Sequence, residues 1–327
     1  MAIEFGLKLP DHLDIVAFAR QAESMDLDYV FQGEHVFFHG PVANSLIDLS
    51  FAAAATQRIK LLSSATIIPV YPAALLAKLA ASLAVNSGGR FNLGVGVGGD
   101  FPAEFEACGV STANRGRATD AALEIMTRLW RGESIGPFES ANGDQLLSLA
   151  PLPPDRAIPL WVCGRSSATI DRAVRTGDWW MPYLYSLDKF RRDREVLVER
   201  SSEAARQFPK AALHSFAVLG DTKQEAISFA SGMLSAAYGM SFDAKMVERL
   251  CIVGTSSECS EQIYRFMEAG AEAVCMNLLA DPGDYERRME QLCAEVLPGL
   301  RALGGSRSPA ISAIEDDQGA QGIAGNR

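Results

Sequence analysis

Glu34 and His35 are the neighbouring side chains of this sequence best suited to proton transfer. A carboxylate beside an imidazole can exchange a proton near neutral pH, because the unperturbed pKa of histidine is about 6.5. The same pair could instead form a structural hydrogen bond that fixes the following loop, residues 36–44. We expect Glu34 and His35 to be catalytic, with the structural role as the alternative.

A glycine-rich segment, Gly-Val-Gly-Val-Gly-Gly at residues 94–99, satisfies the GxGxxG pattern. A dinucleotide fingerprint normally opens a βαβ unit and leads directly into a helix, whereas this segment follows a fourth predicted strand and runs into Asp100-Phe-Pro. We therefore do not interpret it as a Rossmann motif. Its glycines let the backbone approach a flat ring or a phosphate closely, and a simple tight turn is the alternative.

The segment Cys163-Gly-Arg-Ser-Ser167 leads from a predicted strand into a predicted helix. Small residues at a helix N-terminus leave backbone N–H groups free, and Arg165 adds a positive charge. The segment therefore predicts an anion site of the kind that barrel enzymes use for phosphates. A plain serine cap of the helix is the alternative.

Three further residues, Lys8, Trp179 and Trp180, are predicted to line a substrate pocket. The two tryptophans precede Tyr183 and Tyr185, and aromatic side chains at this position could wall a pocket for an apolar ligand or could pack in the core. Lys8 ends the first predicted strand. It also permits another chemistry, that of a Schiff-base aldolase in which a lysine amine attacks a carbonyl carbon.

Composition excludes several classes of protein. Of 327 residues, 48% are hydrophobic, enough for a large core. The formal charge of −10 without a basic run argues against binding nucleic acid or an anionic membrane surface. The longest apolar stretch, residues 75–85, is too short to span a membrane, and the first residues lack a signal-peptide pattern. The six scattered cysteines predict reduced thiols and no metal site, so we expect a cytoplasmic protein.

The elements that position these residues alternate between short apolar strands and longer amphipathic helices. Eight strand–helix units predict a (β/α)8 TIM barrel rather than an open doubly wound sheet, with the active site at the C-terminal ends of the strands. The predicted strands are 3–8, 28–33, 59–67, 91–96, 158–163, 178–181, 212–219 and 273–279. We expect one catalytic domain over residues 1–303, with insertions after strands four and seven at 131–157 and 239–252. Residues 304–327 are predicted to be a disordered tail.

The chain resembles the luciferase-like monooxygenase superfamily, especially its branch of coenzyme F420-dependent oxidoreductases. The resemblance extends from Ile3 to about Leu303. Its motifs occur in order along the chain: Glu34-His35, Thr56-Gln-Arg-Ile-Lys-Leu61, Ser87-Gly-Gly-Arg90, Gly94-Val-Gly-Val-Gly98, Glu104-Phe-Glu-Ala-Cys-Gly109, Arg115-Gly-Arg117, Leu129-Trp-Arg-Gly132, Ile158-Pro-Leu-Trp-Val162, Val253-Gly-Thr255 and Ala269-Gly-Ala271.

This resemblance implies a barrel that binds a reduced flavin or deazaflavin across the strand ends. It implies a non-proline cis peptide bond between Ala65 and Thr66. The residues that it assigns to the cofactor are Ala65 and Thr66 behind the ring, Gly96, Val97 and Gly98 near the side chain, and Cys163, Gly164 and Arg165 at the phosphate. The sequence departs from the family pattern at Cys163, where glycine is usual, and at Trp179, an extra indole that we expect to narrow the pocket.

We therefore expect an F420-dependent enzyme that transfers hydride to or from a small organic substrate. An FMN-dependent monooxygenase of the same fold is the first alternative, and a non-catalytic flavin-binding protein is the alternative from another class. A separate reductase that supplies the reduced cofactor is a possible partner. The resemblance also implies a homodimer.

Overall fold

The computed structural model describes residues 3–11, 13–139 and 143–305. Within these ranges the chain alternates between strands and helices. The strands are β1 Glu4–Lys8, β2 Tyr29–Gln32, β3 Lys60–Ser63, β4 Thr66–Ile67, β5 Phe91–Gly96, β6 Ile135–Phe138, β7 Gln145–Leu147, β8 Leu160–Cys163, β9 Trp179–Met181, β10 Lys210–Leu219, β11 Ile252–Gly254 and β12 Ala273–Leu278.

The helices begin where the sequence supplies side chains that cap free N–H groups. Asp14, Asn44, Ser166 and Thr222 each accept a hydrogen bond from the first turn of the helix that follows, and Thr222 forms the predicted capping box with Glu225. The α-helices are α1 Ile15–Ser24, α2 Ser45–Ala55, α3 Ala73–Asn86, α4 Pro102–Ala107, α5 Arg115–Trp130, α6 Ser167–Thr176, α7 Leu187–Glu203, α8 Lys223–Tyr238, α9 Ala244–Leu250, α10 Ser256–Glu268, α11 Tyr285–Gln291 and α12 Leu297–Gly305.

Eight parallel strands close into a barrel, which confirms the predicted fold. Their order is β1, β2, β3, β5, β8, β9, β10 and β12, and β12 pairs with β1. The pairing of β9 with β10, through Trp179 and Lys210, closes the ring. None of the helices in the described ranges is both long and apolar enough to cross a membrane.

Three parts of the chain add to the predicted pattern. Residues 131–157 contain β6 and β7, which form an antiparallel hairpin and, among the described strands, pair only with each other. Residues 239–252 contain α9 and lead into β11, a strand that the sequence did not predict and that pairs with the last three residues of β10. The helix α12 continues to Gly305, two residues beyond the predicted end of the barrel domain, and the tail prediction for residues 306–327 lies outside the described residues.

The core has two layers because alternate residues of a barrel strand point inward and outward. Outward-facing residues pack against the helices in a large apolar cluster. Inward-facing residues fill the barrel with a second cluster: Tyr29, Phe31, Leu62, Trp161, Trp179, Met181, Ala212, Ala273 and Cys275. The second cluster closes the barrel from below, so open space remains above it, at the C-terminal ends of the strands.

Candidate functional site

A cavity of about 560 Å³ opens at the C-terminal ends of the barrel strands, where the fold predicts an active site. Most of the residues predicted for the site lie in its wall: Lys8, Glu34, His35, Ala65, Gly96, Val97, Gly98, Cys163, Gly164 and Arg165. Thr66, Trp179 and Trp180 are not among the residues that line it.

His35 pairs with a carboxylate, but the partner is Glu104 and not its neighbour Glu34. The Nδ1 atom of His35 lies 3.2 Å from both carboxylate oxygens of Glu104, a fully buried residue of α4. The backbone N–H of Val36 donates to the same carboxylate at 3.1 Å. A proton on Nδ1 is thus held by Glu104, which leaves Nε2 of the ring to act on a ligand. The sequence could not show this pair because its members are 69 residues apart.

Glu34 supports the wall of the cavity through five hydrogen bonds. Its carboxylate accepts from the hydroxyl of Ser45 at 2.8 Å, the backbone N–H of Ser45 at 3.3 Å and that of Ile67 at 3.0 Å. The side chains of Asn44 and Tyr71 donate at 3.4 and 3.2 Å. Burial raises the pKa of Glu34, while the hydrogen bonds counteract the rise. Glu34 thereby joins α2 to the segment after β3, and among the described residues none of its hydrogen bonds is to His35.

A non-proline cis peptide bond is present beside the cavity, one residue earlier than predicted. It joins Ser64 to Ala65, not Ala65 to Thr66. The strand β5 passes so close to this segment that a Cβ atom on Gly94 would lie 1.8 Å from the carbonyl oxygen of Ser63. Glycine is therefore required at this position. Ser64 and Ala65 line the cavity, whereas the Thr66 hydroxyl lies 3.5 Å from that of Ser45, behind the wall.

Two arginines and the N-terminus of α6 meet at one end of the cavity. Arg165 lies over the ring of Tyr183, 4.8 Å from its centroid, and Arg115 approaches the backbone at Gly99. Neither guanidinium forms an ion pair within the described part of the chain. Ser166 caps α6 here, which was the alternative interpretation of this segment. The cap leaves other N–H groups of the first turn free, so it is compatible with an anion site. The arginines and the helix N-terminus are groups that bind a phosphate, and the Asp100 carboxylate, which accepts a hydrogen bond from Tyr183 at 3.0 Å, also lines the cavity here.

The two tryptophans predicted for the pocket lie elsewhere, for reasons of strand geometry. Trp180 occupies an outward-facing position of β9 and packs against Phe190, with ring centroids 5.4 Å apart. Trp179 faces inward but lies two residues below Met181, so it stacks on Trp161 beneath the cavity. The expected narrowing of the pocket by an extra indole is therefore wrong.

The cavity floor contains polar residues that the sequence analysis did not assign to the site. His214 of β10 lies 3.3 Å from the hydroxyl of Ser64, and burial lowers its pKa to about 4, which keeps the ring neutral. Asn277 of β12 lines the cavity, and its amide has no hydrogen-bond partner among the described residues. His214 and Asn277 occupy inward-facing positions of their strands, as Lys8 does on β1, and this alternation was the sequence signal that could have identified them.

Lys8 and Cys163 are poorly placed for nucleophilic attack. The ammonium of Lys8 contacts the Asp11 carboxylate at 2.9 and 3.0 Å and donates to the carbonyl of Leu9 at 3.0 Å. The aldolase alternative needs a free amine at this position. Burial raises the pKa of the Cys163 thiol to about 12, so the sulfur stays protonated.

The shape and the donor set of the cavity fit a flat cofactor with an anionic side chain. A Cβ atom on Gly98 would lie 2.7 Å from Ile67 and 2.8 Å from Phe105, so this part of the wall is bare backbone. The arginines would hold the anionic end, and the backbone of Gly96, Val97 and Gly98 would lie along the cofactor. Among the described residues, no group of three or more His, Cys, Asp or Glu side chains is placed to hold a metal ion.

Comparisons with known proteins agree with this architecture. The family model described as luciferase-like monooxygenase matches residues 8–273. An uncharacterized protein of Mycobacterium tuberculosis is 30% identical over 171 residues, which are 51% of this chain and 57% of that protein. The match thus spans little more than half the length of the curated relative.

Two solved structures share the fold. An F420-dependent secondary alcohol dehydrogenase in complex with an F420-acetone adduct has a TM-score of 0.78 and 20% identity, over 92% of this chain and 99% of that chain. The oxygenating constituent of 3,6-diketocamphane monooxygenase from Pseudomonas putida, in complex with FMN, has a TM-score of 0.71 and 22% identity, over 91% and 98%.

Proposed function

The chain belongs to the luciferase-like monooxygenase family, and we propose that it is an F420-dependent oxidoreductase that transfers hydride to or from a small organic substrate. The observation that carries the proposal is the pairing of His35 with Glu104 in the wall of a cavity that Arg115 and Arg165 also line. The bound deazaflavin would supply the hydride chemistry. The protein must then supply a proton at the substrate oxygen.

His35 provides that proton in the proposed mechanism. Glu104 accepts a hydrogen bond from Nδ1, which fixes the orientation of the ring and directs Nε2 toward the cavity. In the direction of reduction, Nε2–H donates to the carbonyl oxygen of the substrate, and in the direction of oxidation Nε2 accepts the hydroxyl proton. Glu104 is a positioning residue because it acts through His35.

An FMN-dependent monooxygenase is the second candidate, favoured by the likeness to the FMN-bound diketocamphane enzyme component. The two candidates make different demands on partners, because a monooxygenase of this kind would need a separate reductase to supply reduced FMN. A binder without turnover is the third possibility. It gives no role to the pairing of His35 with Glu104.

Separate titrations of the purified protein with F420 and with FMN test the proposal. We expect F420 to bind more tightly in isothermal titration calorimetry, and we expect reduced F420 to be reoxidised on addition of a carbonyl substrate under anaerobic conditions. Preferential binding of FMN, with substrate-dependent consumption of oxygen, would establish the monooxygenase instead. Binding of either cofactor without turnover of any substrate would favour the binding protein.

We also propose that the chain forms a homodimer through α2 and α3. Ile47 and Phe51 lie one turn apart on α2, Leu75 and Leu79 lie one turn apart on α3, and these four side chains are 39–59% exposed on adjacent helices. An apolar surface of this kind is typical of subunit interfaces. Light scattering after size exclusion should give twice the chain mass. Phe51→Glu should halve it, while Leu146→Glu on the exposed hairpin should not.

A further inference from the structure

One wall of the cavity is apolar and largely aromatic. It is formed by Phe38 from the loop after β2, Leu184 from the loop after β9, Phe216 of β10 and Tyr238 at the end of α8. The rings contact one another, with centroids of Phe38 and Tyr238 6.2 Å apart and those of Phe216 and Tyr238 also 6.2 Å apart. Phe38 stacks on the imidazole of His35 at 4.2 Å, so this wall adjoins the proton-transfer group.

Leu184 contributes to this wall from an unusual backbone conformation. Its φ is +50°, in the left-handed region that few residues other than glycine adopt. Glycine would relieve the backbone but would remove the side chain, which, like those of Phe216 and Tyr238, packs against the buried apolar cluster around α8. A leucine held in this conformation beside a cavity indicates that its side chain has a function there.

The charged groups of the cavity are paired or lie around Tyr183 at the cofactor's end, where the Asp100 carboxylate accepts a hydrogen bond from the Tyr183 hydroxyl at 3.0 Å and Arg165 lies over the ring. Lys8 is paired with Asp11, and the carboxylate of Glu34 is occupied by its five donors. His214 is neutral because burial lowers its pKa to about 4. Arg115 and Arg165 are the cations of the cavity without an ion pair among the described residues, and the proposed function assigns both to the anionic part of the cofactor.

We propose that the substrate is an uncharged, predominantly hydrophobic ketone or alcohol, and that Leu184 and Phe216 determine this specificity. The proposal rests on the proposed function, since it needs the cofactor to occupy the two arginines. A substrate carboxylate or phosphate against this wall would lose its hydration without gaining a cation. The amide of Asn277, beside Phe216 in the register of β10 and β12, provides the hydrogen bond for one polar group of the substrate.

A matched pair of ligands tests the charge preference. Acetophenone and 4-acetylbenzoate share an aromatic ketone and differ by one carboxylate. With the cofactor bound, we expect calorimetry to show that acetophenone binds roughly 10²-fold more tightly than 4-acetylbenzoate, because the carboxylate is desolvated without a partner. In cofactor-free protein the two arginines are available, and the preference should shrink.

A pair of variants tests whether Leu184 determines the preference for an uncharged ligand. Leu184→Lys adds a cation to the wall and should raise the affinity for 4-acetylbenzoate at least roughly ten-fold relative to acetophenone. Leu184→Met keeps the wall apolar and should retain the original preference. A thermal melt of each variant with its cofactor bound checks that the fold is preserved. Phe216→Lys, on the neighbouring strand, repeats the test if Leu184→Lys does not fold.

The outcomes separate this proposal from the proposed function. If 4-acetylbenzoate binds the cofactor-loaded protein as tightly as acetophenone, or if neither ligand binds, the substrate class is wrong even though the cofactor is right. If neither F420 nor FMN binds, the proposed function fails. The substrate proposal then fails with it, because nothing occupies the two arginines, and the missing cofactor binding identifies the proposed function as the cause.

Discussion

Glu34 and Glu104 are both buried carboxylates close to the loop that carries His35, but they contact different regions of the molecule. Glu34 binds the start of α2 and the segment after β3 through five donors. Glu104, on the short helix α4, binds Nδ1 of His35 and the backbone N–H of Val36. Glu34 and His35 are neighbours in the sequence and both line the cavity, but their side chains bind different partners. Adjacency in sequence predicted the wrong pair.

Of the changes that test this comparison, removing the imidazole of His35 should have the largest effect on turnover. If His35 transfers the proton, His35→Ala should lower kcat by roughly 10²- to 10⁴-fold, the usual contribution of a general acid or base. Cofactor affinity should change much less. Stopped-flow reoxidation of saturating reduced cofactor by substrate measures this step directly. A rate equal to that of the wild type would show that His35 does not transfer the proton, and that neither Glu34 nor Glu104 acts on the reaction through it.

Replacing the carboxylate that contacts His35 should have the next largest effect. Glu104→Gln removes the charge that holds Nδ1–H, so the ring is less firmly oriented, and we expect kcat to fall roughly 10- to 100-fold. Glu106→Gln, an exposed residue of the same helix, is the matched control and should behave as the wild type. Equal losses in the two variants would mean that the integrity of α4, and not the pairing with His35, sets the rate.

Replacing the other carboxylate should affect stability more than turnover. Glu34→Gln places an amide NH₂ among five donors, and an unsatisfied buried group costs about 1–3 kcal/mol of unfolding free energy. Urea unfolding followed by circular dichroism measures this loss. We expect kcat at saturating cofactor to fall less than in Glu104→Gln. The opposite order would restore Glu34 as the partner of His35.

His214 allows effects of pH on stability to be separated from effects on rate. Its pKa is lowered to about 4, so well above pH 6.5 the ring is neutral in both folded and unfolded chains. As the pH falls below 6.5 the unfolded chain binds a proton first, and the free energy of unfolding decreases until the folded ring also titrates near pH 4. By pH 5 the loss should reach roughly 2 kcal/mol. His214→Gln should remove this part of the pH dependence between pH 7.5 and 5, and an unchanged dependence would assign it to other groups.

The barrel could be predicted from sequence because each strand–helix unit is a local pattern. The strand–loop–helix geometry of residues 163–167 was also predictable, since small residues before a capped helix have the same local geometry wherever they occur. The partner of His35 was not, because α4 is a six-residue helix whose position depends on distant strands. Trp180 was assigned to the pocket, but Met181, the next residue of the same strand, faces into the barrel. Neighbouring residues of a strand face opposite sides, so Trp180 must face outward.

The stacked indoles of Trp161 and Trp179 lie directly below the cavity, with ring centroids 4.2 Å apart. Both are two residues before a cavity-lining residue on the same strand, Cys163 for Trp161 and Met181 for Trp179. Indole emission overlaps the absorption of flavins and deazaflavins, and resonance energy transfer is efficient over such short separations. The barrel therefore contains its own optical reporter, and a chromophore that enters the cavity quenches the intrinsic fluorescence of the protein without any added label.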